Sequence, residues 1–402
     1  MKVRVIGSTK PGYTLPVQDA LMFAGHEAGI CYMPDDFDAI LAEPEKKTMG
    51  RVRGTIFSGH HSVAGHPVYN LLFEGIPKII AMLLNNEQDY NTSEKSGRYT
   101  KMGVSEEDAE LLEEFGEDPQ AIGEEKEIYE KWIVKFTDMI QKEYPQIDPK
   151  TVDKLAKENA RYFISVFTPA TTMGYTVDLR QANYLIGFAE QLYLTPTVDP
   201  FLIRLKPFVL ELANMLRSVC NVDGLRDNKG RGFSLFATRE RREEFGENYC
   251  VNYAGSFAQL AQAHRHRSLT YEMTIPDLSN CTFFVPPIIQ DEETRNEYLQ
   301  DMEKLKSNYP QGMLVKINER GPIEKLVLKC HERLCGVAQL EICRQTNETL
   351  KMYINALIAT SGNADLYCYL LPYVDGTKCK FGYYHCDRPC PLGPKNVHTR
   401  KI

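Results

Sequence analysis

The 402-residue chain lacks any apolar run that approaches the ~18 residues needed to span a bilayer, and its mean hydropathy is -0.36. Its first residues, MKVRVIGSTKPG, contain no apolar stretch followed by a small-residue cleavage site, so a secretory signal is not expected. Eleven cysteines scattered along such a chain predict reduced thiols and not a disulfide framework. We therefore expect a soluble cytoplasmic protein, and the length predicts two or three domains.

The chain also lacks the clustered basic charge that is typical of nucleic-acid-binding proteins. Its formal net charge is -7, and residues 106–130 hold twelve carboxylates against one lysine. Without that segment, the 47 basic and 54 acidic side chains become 46 and 42. The acidic segment is interpreted as a solvated helical face. The mildly basic remainder suits a protein that binds phosphorylated metabolites.

Sequence patterns predict a chain that alternates between helices and short strands. The opening MKVRVIGS is a β-branched run and predicts a strand. The run NLLFEGIPKIIAMLL (70–84) is apolar enough for a buried helix, 322–359 predicts a further helix, and YLLPYV (369–374) is typical of a strand. The string TPTVDP (195–200) is the best candidate linker, and it lies almost at the midpoint.

A break near the midpoint invites a search for an internal repeat. The segments LLNNEQDYNTSEKSGRY (83–99) and QAHRHRSLTYEM (262–273) align when Leu83 meets Gln262, an offset of 179 residues. Each segment follows an apolar helix in the predicted pattern. The two segments share few identical residues, so a repeat is indicated by the chemistry of their side chains and not by sequence identity.

The run His-Arg-His-Arg (264–267) stands at the end of a predicted helix. Because one helical turn spans about 3.6 residues, Gln262, Arg265 and His266 can face a common ligand. Neighbouring cationic groups repel each other unless an anion lies between them, and a phosphate or pyrophosphate fills that place well. A surface basic patch is the alternative interpretation.

Two further segments have the composition of small-molecule sites. In Ser96-Gly97-Arg98-Tyr99, a hydroxyl, a glycine and an arginine can form a compact oxyanion cradle, although such tripeptides are also common in turns. The loop from Ser58 to His66 contains three histidines. No carboxylate or thiol accompanies them at ligand spacing, so a metal is not predicted there.

The tail carries another group of metal-type side chains. Cys379, His385, Cys386 and Cys390 fall within twelve residues, but they lack the C-x-x-C pair that is usual in zinc sites. Structural zinc and free thiols both remain open interpretations.

Taken together, these residues resemble the flavin-dependent thymidylate synthases. The family motif reads R-H-R-x-x-S-x-N-E-x-S-x-R-Y, with a glutamine three residues before the first arginine. The matching positions in the first half are His60-His61-Ser62, His66, Ser93–Tyr99, Ala160-Arg161, Thr176–Arg180 and Asn183. The matching positions in the second half are Gln262, Arg265-His266-Arg267, Arg333 and Ala338–Ile342.

The two halves divide the motif between them. In this family each site is assembled from two chains. One chain contributes Gln, Arg-His-Arg and the arginine that corresponds to Arg333, and the other contributes Glu-x-Ser-x-Arg and Ala-Arg. Here the first half has Asn86-Glu87-Gln88 in place of Arg-His-Arg, and the second has Ile275-Pro276-Asp277 in place of Ser-x-Arg. A fused duplication that keeps one composite site explains both losses.

The resemblance therefore implies an α+β protein made of two tandem copies of the flavin-dependent thymidylate synthase fold. The first repeat is expected over 1–197, and the second, with the Cys-rich tail, over 198–402. The expected assembly is a homodimer that mimics the homotetramer of the family. Neither nucleic acid nor a membrane is expected as a partner.

The resemblance also implies the reaction, which is transfer of a one-carbon unit from methylenetetrahydrofolate to C5 of dUMP with reduced FAD, regenerated by NADPH. Arg333 is the predicted catalytic residue, since a guanidinium beside the uracil ring stabilises negative charge there. The implied substrate-binding residues are Gln262, Arg265, Glu94, Ser96, Gly97, Arg98 and Arg161. The implied cofactor-binding residues are Ser62, Arg265, His266, Arg267, Asp178, Arg180 and Asn183.

Three positions depart from the family pattern. Gly65 and Ser93 replace a Glu and an Asn, and Asp178 replaces the Asn of T-x-N-x-R. The matched positions imply a flavin and a uridine nucleotide, and the three departures leave alternatives to the methylation of dUMP. A related methylase or hydroxymethylase of another pyrimidine nucleotide, and a non-catalytic flavin- or nucleotide-binding paralogue, are the alternatives.

Overall fold

The computed structural model of the chain describes residues 1–10, 12, 14–87, 90–95, 110, 112–226, 234–265, 267–360, 363–382, 384, 386, 390–393 and 397–402. These residues form two compact units. Unit 1 comprises the described residues within 1–95, 106–116 and 169–233, and unit 2 comprises those within 117–168 and 234–402. Each unit is thus built from stretches that are separated in sequence. The repeat boundary at 197/198 stays a prediction.

Helices and antiparallel sheets both contribute, as the predicted α+β class requires. In chain order, the strands are β1 (Lys2–Ser8), β2 (Val68–Ile76), β3 (Tyr90–Glu94), β4 (Thr171–Asp178), β5 (Glu244–Phe245), β6 (Asn248–Ser256), β7 (Thr270–Met273) and β8 (Leu314–Pro322). The helices are α1 (Val17–Tyr32), α2 (Phe37–Leu41), α3 (Glu45–Phe57), α4 (Lys78–Asn86), α5 (Pro119–Glu143), α6 (Pro149–Ala160), α7 (Leu179–Leu194), α8 (Pro200–Cys220), α9 (Phe257–His264), α10 (Glu292–Lys304), α11 (Ile323–Arg333), α12 (Leu340–Ala359) and α13 (Ala364–Leu370). In the part of the chain that the structure describes, none of these helices is long and apolar enough to cross a membrane.

Unit 1 is built around an antiparallel sheet of order β1-β2-β4-β3. Along β2, the side chains of Tyr69, Leu71 and Phe73 are completely buried, while the residues between them are partly exposed. This two-residue period buries one face of the strand. Tyr175 of β4 donates through its hydroxyl to the Leu84 carbonyl at 3.1 Å, which ties the sheet to α4.

The prediction of one buried helix over 70–84 is wrong. β2 continues to Ile76, Gly75 adopts a φ of 63°, and α4 begins after Pro77. An apolar run does not distinguish a buried helix from a strand when one face of the strand is covered. Pro77 also restricts Ile76 to extended backbone, which favours a boundary at that point.

Unit 2 has a second antiparallel sheet, of order β5-β6-β8-β7. Counted within each unit, both sheets place their strands in the order first, second, fourth, third. An aromatic cluster forms the core between α5 and α10. In this cluster the Trp132 ring lies 5.5 Å from Phe163 and 5.0 Å from Tyr298, and Trp132 Nε1 donates to Asp301 Oδ2 at 2.9 Å.

Two further predictions for the second half need correction. The segment 322–359 contains two helices, α11 and α12, separated at 334–339, and Gln339 is the N-cap of α12. The predicted strand over 369–374 is wrong: α13, which Asn363 caps through its side chain, continues to Leu370, and a 3-10 turn follows over Leu371–Tyr373. All eleven cysteines are free thiols.

Candidate functional site

Three of the residues predicted to bind or transform the substrate lie together in unit 2. Arg161 Nη2 donates to Gln339 Oε1 at 2.6 Å, and Gln262 Nε2 donates to the same oxygen. Arg333 Nη2 donates to the backbone carbonyl of Gln262. Arg161, from the first half of the sequence, therefore joins Gln262 and Arg333 from the second.

Local structure explains why these side chains meet. Arg161 begins a 3-10 turn directly after α6, and Gln262 lies on the buried surface of α9. Ser256 caps α9 and accepts from Gln259 N at 3.1 Å. Arg333 is the last residue of α11, where the partial negative charge of the helix terminus favours a cation.

A buried carboxylate determines the orientation of this group. Glu341 accepts from Ser256 N at 2.8 Å, from Ser256 Oγ at 2.6 Å and from the Tyr162 hydroxyl at 2.9 Å. The Tyr162 oxygen in turn accepts from Gln339 Nε2. Because the hydroxyl proton of Tyr162 is used by Glu341, Gln339 must present its amide nitrogen to Tyr162 and its oxygen to Arg161. Glu341, Tyr162 and Gln339 are called the orienting relay below.

The relay leaves one acceptor unused. Gln262 gives its amide nitrogen to Gln339, so Gln262 Oε1 faces the opposite way. That oxygen is buried, and no group among the described residues donates to it. Leaving a buried acceptor without a donor costs about 1–3 kcal/mol. The site therefore holds a fixed acceptor that suits an N–H donor on a ligand.

Burial shifts the pKa values of the relay upward. Burial raises the pKa of Glu341, although the hydrogen bonds from Ser256 and Tyr162 act in the opposite direction. Burial also raises the pKa of Tyr162 well above its usual range, and the nearby Glu341 charge adds to this effect. Tyr162 consequently stays a protonated donor at neutral pH.

The predicted flavin-binding arginines of unit 2 follow the end of α9. Arg265 and Arg267 are both exposed, and His266 lies outside the described residues. Arg267 adopts a φ of 52°, and its backbone N–H donates to the His264 carbonyl at 3.1 Å. A left-handed conformation at a non-glycine residue costs about 1–3 kcal/mol, and such strain is concentrated at functional sites.

His264 is the buried residue at the C-terminal end of α9. Its ring meets the Tyr271 ring edge-to-face at 5.2 Å, and burial lowers its pKa to about 3. His264 is therefore neutral at physiological pH and supports the backbone that carries Arg265.

We expect His264 to make the protein sensitive to acid. Its pKa is about 3 in the folded chain and about 6.5 in the unfolded chain, so the unfolded state takes up the proton first as pH falls. The free energy of unfolding should therefore fall below pH 6.5, by about 2 kcal/mol at pH 5 relative to pH 8. Urea unfolding at both pH values should show a smaller difference for His264→Gln, whereas the exposed control His60→Gln should keep the wild-type difference. An equal difference in all three proteins would contradict the assignment.

Three of the other predicted flavin ligands lie around the start of α7 in unit 1. Ser62 is exposed in the turn His61–Gly65. Asp178 caps α7 and accepts from Gln181 N at 2.6 Å, and Arg180 is in the first turn. Leu179 N donates to the Pro67 carbonyl at 2.9 Å, which joins the two segments.

Asn183 has a structural role in this arrangement. Its side chain is buried, with Nδ2 donating to the carbonyls of Leu179 and Cys220 and Oδ1 accepting from Val222 N and Arg226 Nη1, at 2.7 to 2.9 Å. These four bonds use the full hydrogen-bonding capacity of the amide. Contact of Asn183 with a flavin stays a prediction.

The remaining predicted substrate residues are only partly described. Glu94 is 5% exposed and forms an ion pair with Lys78. Ser96, Gly97 and Arg98 lie outside the described residues.

Two departures from the family pattern are neighbours in space. A Cβ built on Gly65 would lie 3.9 Å from Asp178 Oδ2. A glutamate at 65 would therefore bring a second carboxylate against Asp178, where like charges repel. Gly65 and Asp178 together keep one carboxylate at this place.

Among the residues that the structure describes, no group of three His, Cys, Asp or Glu side chains could hold a metal ion. The tail residue His385 lies outside the described residues. Cys379 and Cys386 are exposed thiols.

The role of the orienting relay was not predicted. Gln339 and Glu341 are within the matched stretch Ala338–Ile342, and Tyr162 directly follows Arg161. The signal in the sequence was a pair of polar side chains on either side of the apolar Leu340, where a helix begins.

Comparison with known proteins agrees with the resemblance. The family model described as "Thymidylate synthase complementing protein" matches residues 18–188. A search of curated proteins gives no match. Two solved structures are similar to this chain. One is thymidylate synthase X from Helicobacter pylori with FAD and dUMP, with 16% identity, coverage of 56% of this chain and 95% of that chain, and a TM-score of 0.32. The other is flavin-dependent thymidylate synthase from Helicobacter pylori complexed with FAD and dUMP, with 14% identity, coverage of 55% of this chain and 100% of that chain, and a TM-score of 0.31. The family match, and not these low TM-scores, carries the assignment. Residues 18–188 of this chain are therefore similar to the thymidylate synthase complementing proteins.

Proposed function

We propose that this protein is a flavin-dependent thymidylate synthase that transfers a one-carbon unit from methylenetetrahydrofolate to C5 of dUMP with reduced FAD and NADPH. The observation that carries the proposal is the buried acceptor Gln262 Oε1, on a residue whose backbone carbonyl binds Arg333 and whose side chain shares Gln339 with Arg161. The family match over residues 18–188 supports the same reaction.

The acceptor on Gln262 suits a uracil ring. Uracil has an N–H at N3, whereas cytosine has only a lone pair at that position. The relay prevents Gln262 from exchanging its amide oxygen and nitrogen without breaking its bond to Gln339. Rejection of a ligand that leaves a buried polar group unpaired is stronger than rejection by shape alone. A uracil nucleotide is therefore the proposed substrate.

Arg333 is the proposed catalytic residue. One Nη atom is held by the Gln262 carbonyl, which fixes the plane of the guanidinium next to the acceptor. A positive charge fixed in this way stabilises negative charge on the uracil ring as C5 becomes nucleophilic. Arg161, anchored by Gln339, is proposed to bind the nucleotide phosphate.

The residues present also fit a flavin dinucleotide. Exposed side chains at Arg265 and Arg267 suit its diphosphate, and Arg267 has the left-handed backbone conformation that is concentrated at functional sites. Ser62, Asp178 and Arg180 are proposed to bind the same cofactor. When bound, the reduced flavin supplies the hydride that completes the methyl group.

A tandem duplication is part of the proposal. The shared strand order of the two sheets supports it. In the second half, Asp277 accepts from Ser279 Oγ at 2.7 Å and from Asn280 Nδ2 at 2.9 Å, so it stabilises a turn. We propose two repeats that share one composite site, and a homodimer with two such sites.

The test is formation of dTMP from dUMP, methylenetetrahydrofolate, FAD and NADPH, with the product identified by mass spectrometry. We expect a 5-methyl product. Gln262→Ala should raise KM for dUMP by about 10- to 100-fold, since 1–3 kcal/mol of hydrogen bonding is lost. The control Gln345→Ala, on α12, should leave KM unchanged.

Protein that retains FAD but forms no dTMP would overturn the proposal. A 5-hydroxymethyl product, or turnover of a different pyrimidine nucleotide, would favour the related enzyme activities instead.

A further inference from the structure

Unit 2 contains an open cavity of about 590 Å³ that the proposed reaction does not use. It lies at the end of the sheet where β6 begins and β8 ends, and its volume is in the range of small-ligand sites. Four arginines line it, Arg239, Arg241, Arg242 and Arg320, and it is called the arginine cavity below.

The wall of the cavity carries an excess of positive charge. Glu272 accepts from Arg241 Nε at 2.8 Å and Arg241 Nη2 at 2.5 Å, and its Oε1 also lies 2.9 Å from Arg320 Nη2. One carboxylate thus serves two guanidinium groups, and the three side chains are only 8%, 21% and 28% exposed. This leaves one positive charge without a compensating partner within the triad.

Two more arginines add to this charge. Arg239 and Arg242 are exposed at the mouth of the cavity. The acidic lining residues are Glu240 and Glu244, and Glu240 lies 3.6 Å from Lys316. The balance of the lining is therefore positive, as a site for an anion requires.

The loop that carries these arginines is attached to the sheet. Asn252 Nδ2 donates to the Arg241 carbonyl at 2.9 Å, and Asn252 N donates to Glu243 Oε1 at 3.1 Å. Thr270 pairs with Arg320 across β7 and β8. The guanidinium groups of Arg241 and Arg320 are consequently held in place, through Glu272 and the strands β6, β7 and β8, whereas those of Arg239 and Arg242 are exposed.

We propose that the arginine cavity binds a phosphate-bearing small molecule, with Arg239 and Arg242 as direct ligands and Arg241 and Arg320 as the fixed positive wall. Guanidinium groups bind phosphate oxygens in a two-point geometry. The partly exposed Cys250 and Thr270 offer contact area for the uncharged part of the ligand. The phosphate can come from a free metabolite or from the diphosphate of the proposed flavin dinucleotide.

Calorimetric titration of the full chain with inorganic pyrophosphate at low salt tests this proposal. We expect saturable binding by the wild type and about 10- to 100-fold weaker binding by Arg239→Gln/Arg242→Gln, because charged hydrogen bonds contribute about 1.5–3 kcal/mol. Both replaced residues are exposed, so the variant should keep the wild-type melting temperature. Arg295→Gln, an exposed arginine of α10, is the matched control and should bind like the wild type.

Repeating the titration with saturating FAD distinguishes the two sources. Loss of pyrophosphate binding would identify the flavin dinucleotide as the ligand, and retained binding would identify a separate metabolite. Absence of saturable pyrophosphate binding, or equal binding by the wild type and the double variant, would overturn the proposal. Failure of dTMP formation would leave this result unaffected, since pyrophosphate binding is measured without turnover.

Discussion

Replacing Arg333 by alanine is expected to lower kcat for dTMP formation by about 10²–10³-fold, the usual loss when one fixed donor to a developing negative charge is removed. The guanidinium is held by the Gln262 carbonyl, beside the unused acceptor Gln262 Oε1. Its charge is thus available before the reaction and needs no rearrangement. KM for dUMP should change much less than kcat, since the interaction is strongest in the transition state.

FAD content provides the control for this prediction. Arg333→Ala should retain flavin, measured by absorbance of the purified protein, because the proposed flavin ligands of unit 2 are Arg265 and Arg267. Arg333→Lys should recover part of the activity, since it restores charge but not the planar geometry. Loss of flavin with the alanine variant would show that Arg333 belongs to the cofactor site.

Much of the secondary structure could be predicted because its signals are local. The β-branched run at the N-terminus, for example, forms β1 as predicted. The segments 70–84 and 369–374 could not be assigned correctly. In each, short apolar runs fit both a covered strand and a buried helix, and only the neighbouring elements decide between them.

The sequence predicted that three of the candidate residues lie near one another, but not how they are arranged. The resemblance placed Arg161, Gln262 and Arg333 in one substrate site, and the structure brings them together. Nothing in their spacing predicts that Gln339 joins Arg161 to Gln262, because that contact depends on how α6, α9 and α12 pack. The hydrogen bonds of Asn183 could not be predicted either, since their partners Cys220 and Val222 lie at the end of α8 and just beyond it.

A buried ion pair on the helix that carries Arg333 was also not predicted. Glu319 of β8 is completely buried and accepts from Lys329 Nζ at 2.5 Å, Tyr249 at 2.7 Å and Tyr253 at 2.8 Å. Lys329 is on α11, one turn before Arg333. The ion pair therefore fixes the helix that carries the proposed catalytic residue.

Replacing Lys329 by methionine is expected to lower the free energy of unfolding by about 3–5 kcal/mol, because the Glu319 charge would stay buried without its cation. The lysine side chain is 1% exposed and that of Glu319 is 0% exposed, so solvent does not weaken the interaction. Guanidinium chloride unfolding measures the loss. Lys325→Met, on the exposed side of the same helix, is the matched control and should change stability by less than about 0.5 kcal/mol.

The double variant Lys329→Met/Glu319→Gln distinguishes a buried charge from lost packing. With both charges removed, most of the stability should return, since uncharged replacements of a buried ion pair are often neutral. Activity should return with it, because the position of α11 no longer depends on an unpaired carboxylate. A Lys329→Met protein within 1 kcal/mol of the wild type, or a double variant less stable than the single one, would contradict the assigned role of the Lys329–Glu319 pair.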